Sequence, residues 1–178
     1  MAQSVFEINT SELKEMIPQL KCGDRVYLSG TIYTARDADN KEIKKLMDAG
    51  EPLPFELDGA IIYYAGPTPA TAGMAVGSCG PTTSSRMDRF APEFTDKGLL
   101  ATVGKGDRSQ EVEDAIVRNK SVYFCAVGGA GALIAKTIKE AEEIAFLHLG
   151  CESVKRLKVE KMPLIVAIDS YGGNIFKH

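Results

Sequence analysis

The chain has 178 residues and a net charge of −3, with 44% hydrophobic and 25% charged residues. This composition is typical of a globular domain with a substantial core. Runs of Lys and Arg interleaved with aromatic residues are absent, which argues against a nucleic-acid partner. The longest apolar stretches, such as residues 164–168, are too short to span a bilayer, and the first residues lack a basic-then-apolar signal pattern. We therefore expect one cytoplasmic domain over residues 1–178.

The cysteines give no metal-site pattern. Cys22, Cys79, Cys125 and Cys151 are widely spaced without a C-x-x-C pair, and the sequence has only 2 histidines. This pattern predicts reduced thiols rather than a zinc site or a self-contained iron–sulfur cluster. Cys79 adjoins a glycine-rich motif and is the one candidate nucleophile, although no histidine lies near it in the sequence.

The first half of the chain predicts strands that alternate with helices. A helical face at Ile43, Leu46 and Met47 is followed by Gly50, a residue typical of a helix end. Gly30 interrupts an otherwise strand-like run and indicates a tight turn or a bulge. The predicted elements are strands over Val5–Ile8, Asp24–Tyr33, Ala60–Tyr64 and Met74–Ser78, and helices beginning at Thr10 or Ser11 and over Asp39–Ala49.

The Gly80–Asp88 motif, GPTTSSRMD, is the part of the chain around which the other elements are arranged. Its hydroxyl residues precede Arg86, Met87 and Asp88, which read as the first turn of a helix. Serines are preferred helix caps, and a helix start with hydroxyls and a forked guanidinium suits a small carboxylate or phosphate. The alternative is an ordinary serine-capped helix with a surface arginine.

The second half repeats a strand, a glycine loop and a helix. The predicted strands are Leu99–Val103 and Val122–Val127, each followed by glycines and a helical pattern, and then Glu143–Leu147, Val154–Val159 and Leu164–Asp169 as short strands. Strands and helices that alternate in the middle, with short strands at the ends, predict an α/β fold with a mixed sheet and flanking helices.

Cations follow the predicted strands at their carboxyl ends. Arg36 and Lys105 each lie at a strand-to-helix junction, and Arg86 lies in the central motif. If these strands are parallel neighbours, the cations meet at one edge of the sheet and form a pocket for a small ligand with more than one negative charge. The loop of residues 128–131 lacks the G-x-G-x-x-G spacing of a dinucleotide site, so we expect close backbone packing there rather than dinucleotide binding.

The sequence resembles a known family in 5 blocks that occur in the same order. These blocks are TIYTARDAD (31–39), IYYAGP (62–67), GPTTSSRMD (80–88), GKG (104–106) and VGGAGA (127–132). Together they look like the β subunit of the class I iron–sulfur fumarate hydratases and tartrate dehydratases, and like the C-terminal domain of the one-chain enzymes. The resemblance extends from about residue 23 to residue 176.

This resemblance implies a fold, a partner and a reaction. The fold is a swivelling β/β/α domain that closes over an α subunit, and the α subunit ligates a [4Fe-4S] cluster through three cysteines. The assembly would be α2β2. The reaction is the reversible hydration of fumarate to L-malate or the dehydration of tartrate, and we favour fumarate because residues 62–69 and 82–86 look closer to the fumarase side.

The same resemblance assigns roles to individual residues. Thr82, Arg86 and Lys105 match catalytic positions, and Arg36 joins Arg86 and Lys105 in a clamp for the substrate carboxylates. The rest of the predicted substrate-binding set is Thr83, Ser84, Gly104, Gly128 and Gly129. A threonine hydroxyl is a weak base, so Thr82 would need a carboxylate from the α subunit. Thr83, Ser84 and Asp88 have the alternative role of orienting Thr82 or capping the helix.

The chain departs from the family pattern at two places. Asn40 stands where family members commonly carry a histidine, and residues 146–150 replace a Tyr-Glu-x-Leu-Gly run, although Glu152 is retained.

The competing function is an anion-binding or regulatory module that keeps the clamp without catalysis, and a third possibility is a cysteine enzyme built on Cys79.

Overall fold

The computed structural model describes residues 3–126 and 131–177. Its strands are β1 (Val5–Asn9), β2 (Arg25–Thr34), β3 (Ile61–Tyr63), β4 (Ala101–Gly104), β5 (Val122–Ala126), β6 (Ile138–Ala145) and β7 (Val154–Ile168). Its α-helices are α1 (Leu13–Met16), α2 (Asp37–Asp48), α3 (Ala91–Asp96), α4 (Gln110–Asn119) and α5 (Gly131–Thr137). Short 3-10 helices cover Ile17–Gln19, Ser84–Met87 and Leu147–Glu152. The predicted mixed α/β class is confirmed.

The strands form one mixed sheet in the order β1-β2-β3-β4-β5-β7-β6. β1 to β5 pair in parallel, whereas β7 runs antiparallel to β5 and β6. β7 also pairs antiparallel with β2, and this second pairing closes β2, β3, β4, β5 and β7 into a ring. Because β2 to β5 are parallel neighbours, their carboxyl ends meet at one edge, which fulfils the condition under which the predicted cations share that edge.

The central strands β3, β4 and β5 are almost entirely buried on both faces, which explains their nearly continuous apolar runs. On β5, Val122 and Phe124 contribute to the main core, whereas Tyr123 faces a second cluster beneath α4. On β3, Tyr63 joins the main core and Ile62 packs on the α2 side. Side chains alternate between the faces of a strand, so one short segment supplies two cores.

Gly30 is a bulge, one of the two predicted possibilities. The pairing of β2 with β7 shifts register between Leu28 and Gly30, and Gly30 has a φ of +124°. A Cβ added at Gly30 would lie 2.2 Å from the Oγ1 of Thr10. Glycine is therefore required both by the backbone conformation and by the close approach of Thr10.

Two strand predictions are wrong. Residues 74–78 form irregular turns instead of a strand, and the C-terminal segments over 154–159 and 164–169 belong to the continuous strand β7. Lys161, with a φ of 54°, bends β7, and its N–H donates to the Ser29 hydroxyl at 3.0 Å. In the sequence, Glu160, Lys161 and Pro163 separate two apolar runs, which therefore look like two strands. In the structure, pairing with β2 and β5 keeps both runs in one strand.

The predicted strand over 143–147 is also displaced. β6 begins at Ile138 and ends at Ala145, so it starts within the helical pattern that the sequence predicts after the Val122–Val127 strand. The helix α5 ends at Thr137 because β6 has to reach β7, and this pairing is a tertiary requirement that local periodicity does not contain.

Candidate functional site

The Gly80–Asp88 motif lies across the carboxyl ends of β3 and β4. The N–H of Thr82 donates to the carbonyl of Tyr64 at 2.8 Å, just after β3. The N–H of Ser84 donates to the carbonyl of Lys105 at 2.9 Å, just after β4, and Thr83 and Lys105 form an isolated parallel bridge. These backbone contacts place Thr82 and Thr83 beside Lys105.

The motif does not begin a serine-capped helix, so that prediction is wrong. Ser84–Met87 form a 3-10 helix whose N-cap, Thr83, makes no side-chain capping hydrogen bond. The Ser84 side chain is fully buried, and its hydroxyl lies 2.7 Å from the Tyr123 hydroxyl. The contact with Tyr123 replaces capping because the motif packs onto the β4–β5 surface instead of extending into solvent.

Gly104 allows this close packing. A Cβ added at Gly104 would lie 1.9 Å from the Ser84 Oγ and 3.0 Å from a ring carbon of Tyr64. Gly104 is buried at the end of β4, so the absence of a side chain lets the motif lie directly on the strand.

Arg86 lies on the surface of the motif and is paired with the start of α2. Its Nη2 is 2.6 Å from the Oδ2 of Asp37, and its side chain is 53% exposed. Asp37 directly follows Arg36, the N-cap residue of α2. The ion pair therefore joins the central motif to the segment that carries the second predicted clamp arginine.

Arg36 is held by several neighbours at the junction of β2 and α2. Its N–H donates to Asp39 Oδ2 at 3.0 Å, and the Asn40 side-chain amide donates to its carbonyl at 2.7 Å. Its Nε lies 3.6 Å from Glu152 Oε1. Asn40 is 1% exposed, so this residue is a buried support for the Arg36 backbone.

Lys105 lies in the exposed loop after β4. Within residues 3–126 and 131–177, the ion pairs do not include Lys105, whereas Arg36 and Arg86 each contact a carboxylate. Arg36 follows β2, Lys105 follows β4, and the contact with Asp37 keeps Arg86 nearby, so the three predicted cations lie at the same edge of the sheet. Among the described contacts, Lys105 is the one of the three without an ion pair.

A buried arginine fixes the far end of the motif. Asp88 accepts hydrogen bonds from the Nε of Arg108 at 2.6 Å and from the N–H of Ser109 at 2.7 Å. The Arg108 guanidinium carbon lies 5.3 Å from the ring centroid of Tyr64 and 4.7 Å from that of Tyr123. Asp88 therefore joins the motif to the start of α4, and no pattern in the sequence indicated Arg108 as its partner.

A buried carboxyl group stands behind Arg36. Asp39 is 1% exposed, and burial raises its pKa to about 7, although the Arg36 N–H and the Lys155 and Arg36 charges act in the opposite direction. Glu152 adds to the rise by charge repulsion. Neither Asp39 nor Lys155 was predicted as part of the site, because only the tertiary structure brings them next to Arg36.

The candidate nucleophile Cys79 is buried. It is 1% exposed, and burial raises its pKa to about 12, an effect that the Lys155 charge only partly offsets. A thiol with this pKa stays protonated near neutral pH, which argues against the cysteine-enzyme reading.

The second glycine loop is only partly described. Gly128 and Gly129 fall in residues 127–130, outside the described residues. The carbonyl of Gly131 accepts a hydrogen bond from the N–H of Cys79 at 3.2 Å, and a Cβ added at Gly131 would lie 2.6 Å from the Ser78 Oγ. The described end of this loop therefore packs closely against the start of the central motif.

Neither a membrane helix nor a metal-binding cluster is found in the described part of the chain. No helix there is long and apolar enough to cross a bilayer. The same residues contain no group of three or more His, Cys, Asp or Glu side chains that could hold a metal ion, and all 4 cysteines are free.

Comparison with known proteins identifies the family. Residues 2–178 match the family described as Fumarase C-terminus. The chain belongs to the Fumarase C-terminus family. Its relatives include "Fumarate hydratase 2" of Leishmania major, which is 39% identical over 167 residues, covering 93% of this chain and 29% of the relative. The resemblance inferred from the sequence blocks is confirmed.

Other relatives in this family are similar to the chain over most of their own length. The "Putative L(+)-tartrate dehydratase subunit beta" of Methanocaldococcus jannaschii is 41% identical over 170 residues, covering 92% of this chain and 87% of the relative. The "L(+)-tartrate dehydratase subunit beta" of Escherichia coli is 34% identical over 175 residues, covering 95% of this chain and 86% of the relative. The chain spans about three-tenths of the fumarate hydratases it matches.

Proposed function

We propose that this chain is the β subunit of a hydro-lyase that reversibly hydrates fumarate to L-malate and that it supplies the clamp for the substrate carboxylates. The observation that carries the proposal is the convergence of Arg36, Arg86 and Lys105 on one sheet edge, organised by the Gly80–Asp88 motif. Its membership of the Fumarase C-terminus family supports the same reading.

The clamp suits the chemistry of a small dicarboxylate. Removing the proton beside a carboxylate adds negative charge to that group, and cations already in place stabilise this developing charge. Arg86 is half exposed at the mouth of the motif, which leaves guanidinium donors accessible beside its contact with Asp37. Arg36 and Arg86 would grip carboxylates through paired donors, and Lys105 would add a point charge.

Thr82 is the proposed proton-transfer residue of this chain. Its N–H is fixed on the Tyr64 carbonyl, and its side chain is half-buried beside the exposed Thr83. A threonine hydroxyl is too weak a base to remove such a proton alone, so Thr82 would hold and relay the proton for a carboxylate from the partner subunit.

The proposal assigns the [4Fe-4S] cluster to a partner α subunit. The described residues of this chain do not fit cluster ligation, because they contain no suitable group of ligands and the cysteines are dispersed. The cluster would supply Lewis-acid chemistry at the substrate hydroxyl from the partner's side. This chain would bind and orient the dicarboxylate and close the site in an α2β2 assembly.

Tartrate dehydration is the second candidate function. The tartrate dehydratase β subunits match this chain over 87% and 86% of their own length, which favours a separate subunit of this type. Tartrate also carries two carboxylates, so the same clamp would serve it.

The deciding experiment is an anaerobic activity assay. The chain is mixed with its reconstituted iron–sulfur partner, and fumarate formation from L-malate and oxaloacetate formation from tartrate are followed in parallel, with each subunit alone as a control. We expect turnover of L-malate in the mixture only. Turnover of tartrate alone would establish the second candidate, and a formed complex that binds dicarboxylates without turning over either substrate would establish a binding module.

A further inference from the structure

The side chain of Arg36 faces a second, partly buried group of charges that the proposed clamp does not include. Glu152 Oε1 lies 3.6 Å from Arg36 Nε, and their side chains are 34% and 28% exposed. The Nε atom is buried and makes no hydrogen bond within residues 3–126 and 131–177. Because Glu152 approaches the Nε side of the guanidinium, the two Nη groups remain for a substrate carboxylate.

Glu152 sits on a turn that a buried lysine holds closed. The ammonium group of Lys155, which is 7% exposed, donates to the carbonyl of Cys151 at 3.2 Å and to the carbonyl and hydroxyl of Ser153 at 3.3 Å and 3.0 Å. An ammonium has three hydrogens, so these acceptors match its donors. Lys155 thus holds Cys151 and Ser153, the residues on both sides of Glu152, through hydrogen bonds.

The same turn is fastened to the strand that carries Arg36. The N–H of Lys155 donates to the hydroxyl of Thr34 at 3.1 Å, and Thr34 is fully buried at the end of β2. Thr34 precedes Arg36 by two positions. The position of Glu152 relative to Arg36 is therefore fixed by a contact between β7 and β2 rather than by a free surface loop.

Gly66 confines the arginine from another side. A Cβ added at Gly66 would lie 2.9 Å from Arg36 Nη1, 3.0 Å from Arg36 Cδ and 3.2 Å from the Cys151 carbonyl oxygen. Atoms at such distances have to move apart. The Arg36 side chain thus packs closely against Gly66, which also adjoins the turn that carries Glu152, and it has little room to adopt another rotamer.

We propose that Glu152 is a positioning residue for Arg36 and that Lys155 holds Glu152 in place. The inference rests on the proposed function, in which Arg36 grips a substrate carboxylate. A flexible arginine would lose rotamer freedom on each binding event, whereas a guanidinium already oriented by Glu152 meets the substrate in the productive geometry. Paired recognition of a carboxylate depends on that orientation, because both donors have to point at the same group.

The kinetic test compares Glu152→Gln with the matched control Glu140→Gln in the assembled enzyme. Glu140 also pairs with a cation, Lys158, but this pair is exposed on β6 and β7. We expect Glu152→Gln to lower kcat/KM at least about tenfold, mainly through a higher KM, with an unchanged melting temperature. The control should keep the wild-type constants. A kcat/KM for Glu152→Gln within about twofold of wild type would overturn the inference.

Two further variants approach Arg36 by different routes. Lys155→Met removes the ammonium that closes the turn, and Gly66→Ala crowds the Arg36 side chain directly with a new Cβ. We expect Gly66→Ala to raise KM as Glu152→Gln does, because both displace the same side chain. Combining Gly66→Ala with Arg36→Ala should add little to the effect of Arg36→Ala alone, and fully additive effects would contradict a shared action on Arg36.

A spectroscopic readout separates this inference from the proposed function. An inactive wild-type complex would refute the hydro-lyase proposal but would not test whether Glu152 orients Arg36. The NMR signal of the Arg36 Nε–H in the isolated chain then decides: we expect it to shift and broaden in Glu152→Gln, because the side chain then samples several rotamers, and to stay unchanged in Glu140→Gln. An Arg36 signal that is identical in all three proteins would refute the positioning role.

Discussion

Arg86 and Asp37 form an ion pair in which Nη2 lies 2.6 Å from Oδ2. Arg86 belongs to the Gly80–Asp88 motif, and Asp37 is the first residue of α2, so the pair connects two segments that follow different strands. More than half of the Arg86 side chain is exposed, which limits what this pair adds to stability. The pair fixes Arg86 beside the Arg36 segment and leaves part of its guanidinium open to solvent.

Arg86→Ala should therefore impair activity far more than folding. We expect a loss of about 2–4 kcal/mol of transition-state stabilisation in kcat/KM, because a charge-assisted clamp is removed. The free energy of unfolding should fall by less than about 1 kcal/mol, since the ion pair is exposed. Steady-state kinetics of the assembled enzyme and urea unfolding provide the two measurements. Arg89→Ala, which removes a neighbouring exposed cation, is the control, and an Arg86→Ala complex with full activity would exclude the clamp.

The buried pair of Arg108 and Asp88 predicts a large loss of stability, in contrast to the exposed pair of Arg86 and Asp37. The Arg108 side chain is fully buried, and its guanidinium also donates to the Thr102 hydroxyl at 3.0 Å. Arg108→Met would leave the Asp88 carboxylate without its main partner, and we expect the free energy of unfolding to drop by about 3–5 kcal/mol. Urea denaturation followed by circular dichroism measures this loss. Arg118→Met, which breaks an exposed pair with Asp96, should cost less than about 1 kcal/mol; equal losses would contradict the argument.

Asp39 predicts a pH dependence of stability. Its pKa is about 7 in the folded chain, against about 4 for an unfolded carboxyl group, so the folded state binds the proton more tightly. Stability from this group is fully present below about pH 4 and is lost as the pH rises through about 7. We expect the unfolding free energy of Asp39→Asn to fall less than that of wild type over this window, by about 2–4 kcal/mol.

The control for this titration lies on the same helix. Asp48 pairs with Lys44 near the exposed end of α2, and Asp48→Asn should retain the wild-type slope. Urea unfolding at several pH values between about 4 and 8 gives the three profiles. Parallel profiles for wild type and Asp39→Asn would show that the buried carboxyl is not the source of the pH dependence.

The packing of the motif on β4 predicts a steric effect at Gly104. In Gly104→Ala the new Cβ would overlap the Ser84 hydroxyl, so we expect a loss of about 1–3 kcal/mol in unfolding free energy. Gly80→Ala is the matched control, because its Cβ would meet the nearest atom, Gly131 Cα, at an ordinary 3.6 Å. Thermal unfolding distinguishes them, and equal melting temperatures would show that Ser84 can move aside freely.

Thiol reactivity tests the interpretation of Cys79. Because its thiol is buried and its pKa is about 12, we expect Cys79 to resist iodoacetamide near neutral pH until the chain unfolds. Cys151 is exposed and should be alkylated first. Peptide mass spectrometry after timed labelling gives the order. Rapid alkylation of Cys79 in the folded protein would revive the cysteine-enzyme hypothesis.

The sequence by itself determined the local elements and the residues that gather at the sheet edge. Apolar periodicity predicted the helix that the structure places at Asp37–Asp48 and the strands β2 to β5, because burial of each segment imprints its own spacing on the chain. Once these strands pair in parallel, their carboxyl ends lie at one edge, which places Arg36 and Lys105 at that same edge. The ordered sequence blocks indicated the family.

Only the tertiary structure decided what holds these residues in place. The ring closes because β7 pairs with both β2 and β5, and the pairing with β2 joins segments more than 120 positions apart, as in the contact of Lys155 with Thr34. Charged residues such as Glu152 and Arg108 have no periodic signature, since a salt bridge depends on which surfaces meet and not on local spacing. The 3-10 turn at Ser84 also depends on a tertiary contact. The Ser84 hydroxyl is hydrogen-bonded to the buried Tyr123 hydroxyl, so it does not cap a helix as serines often do.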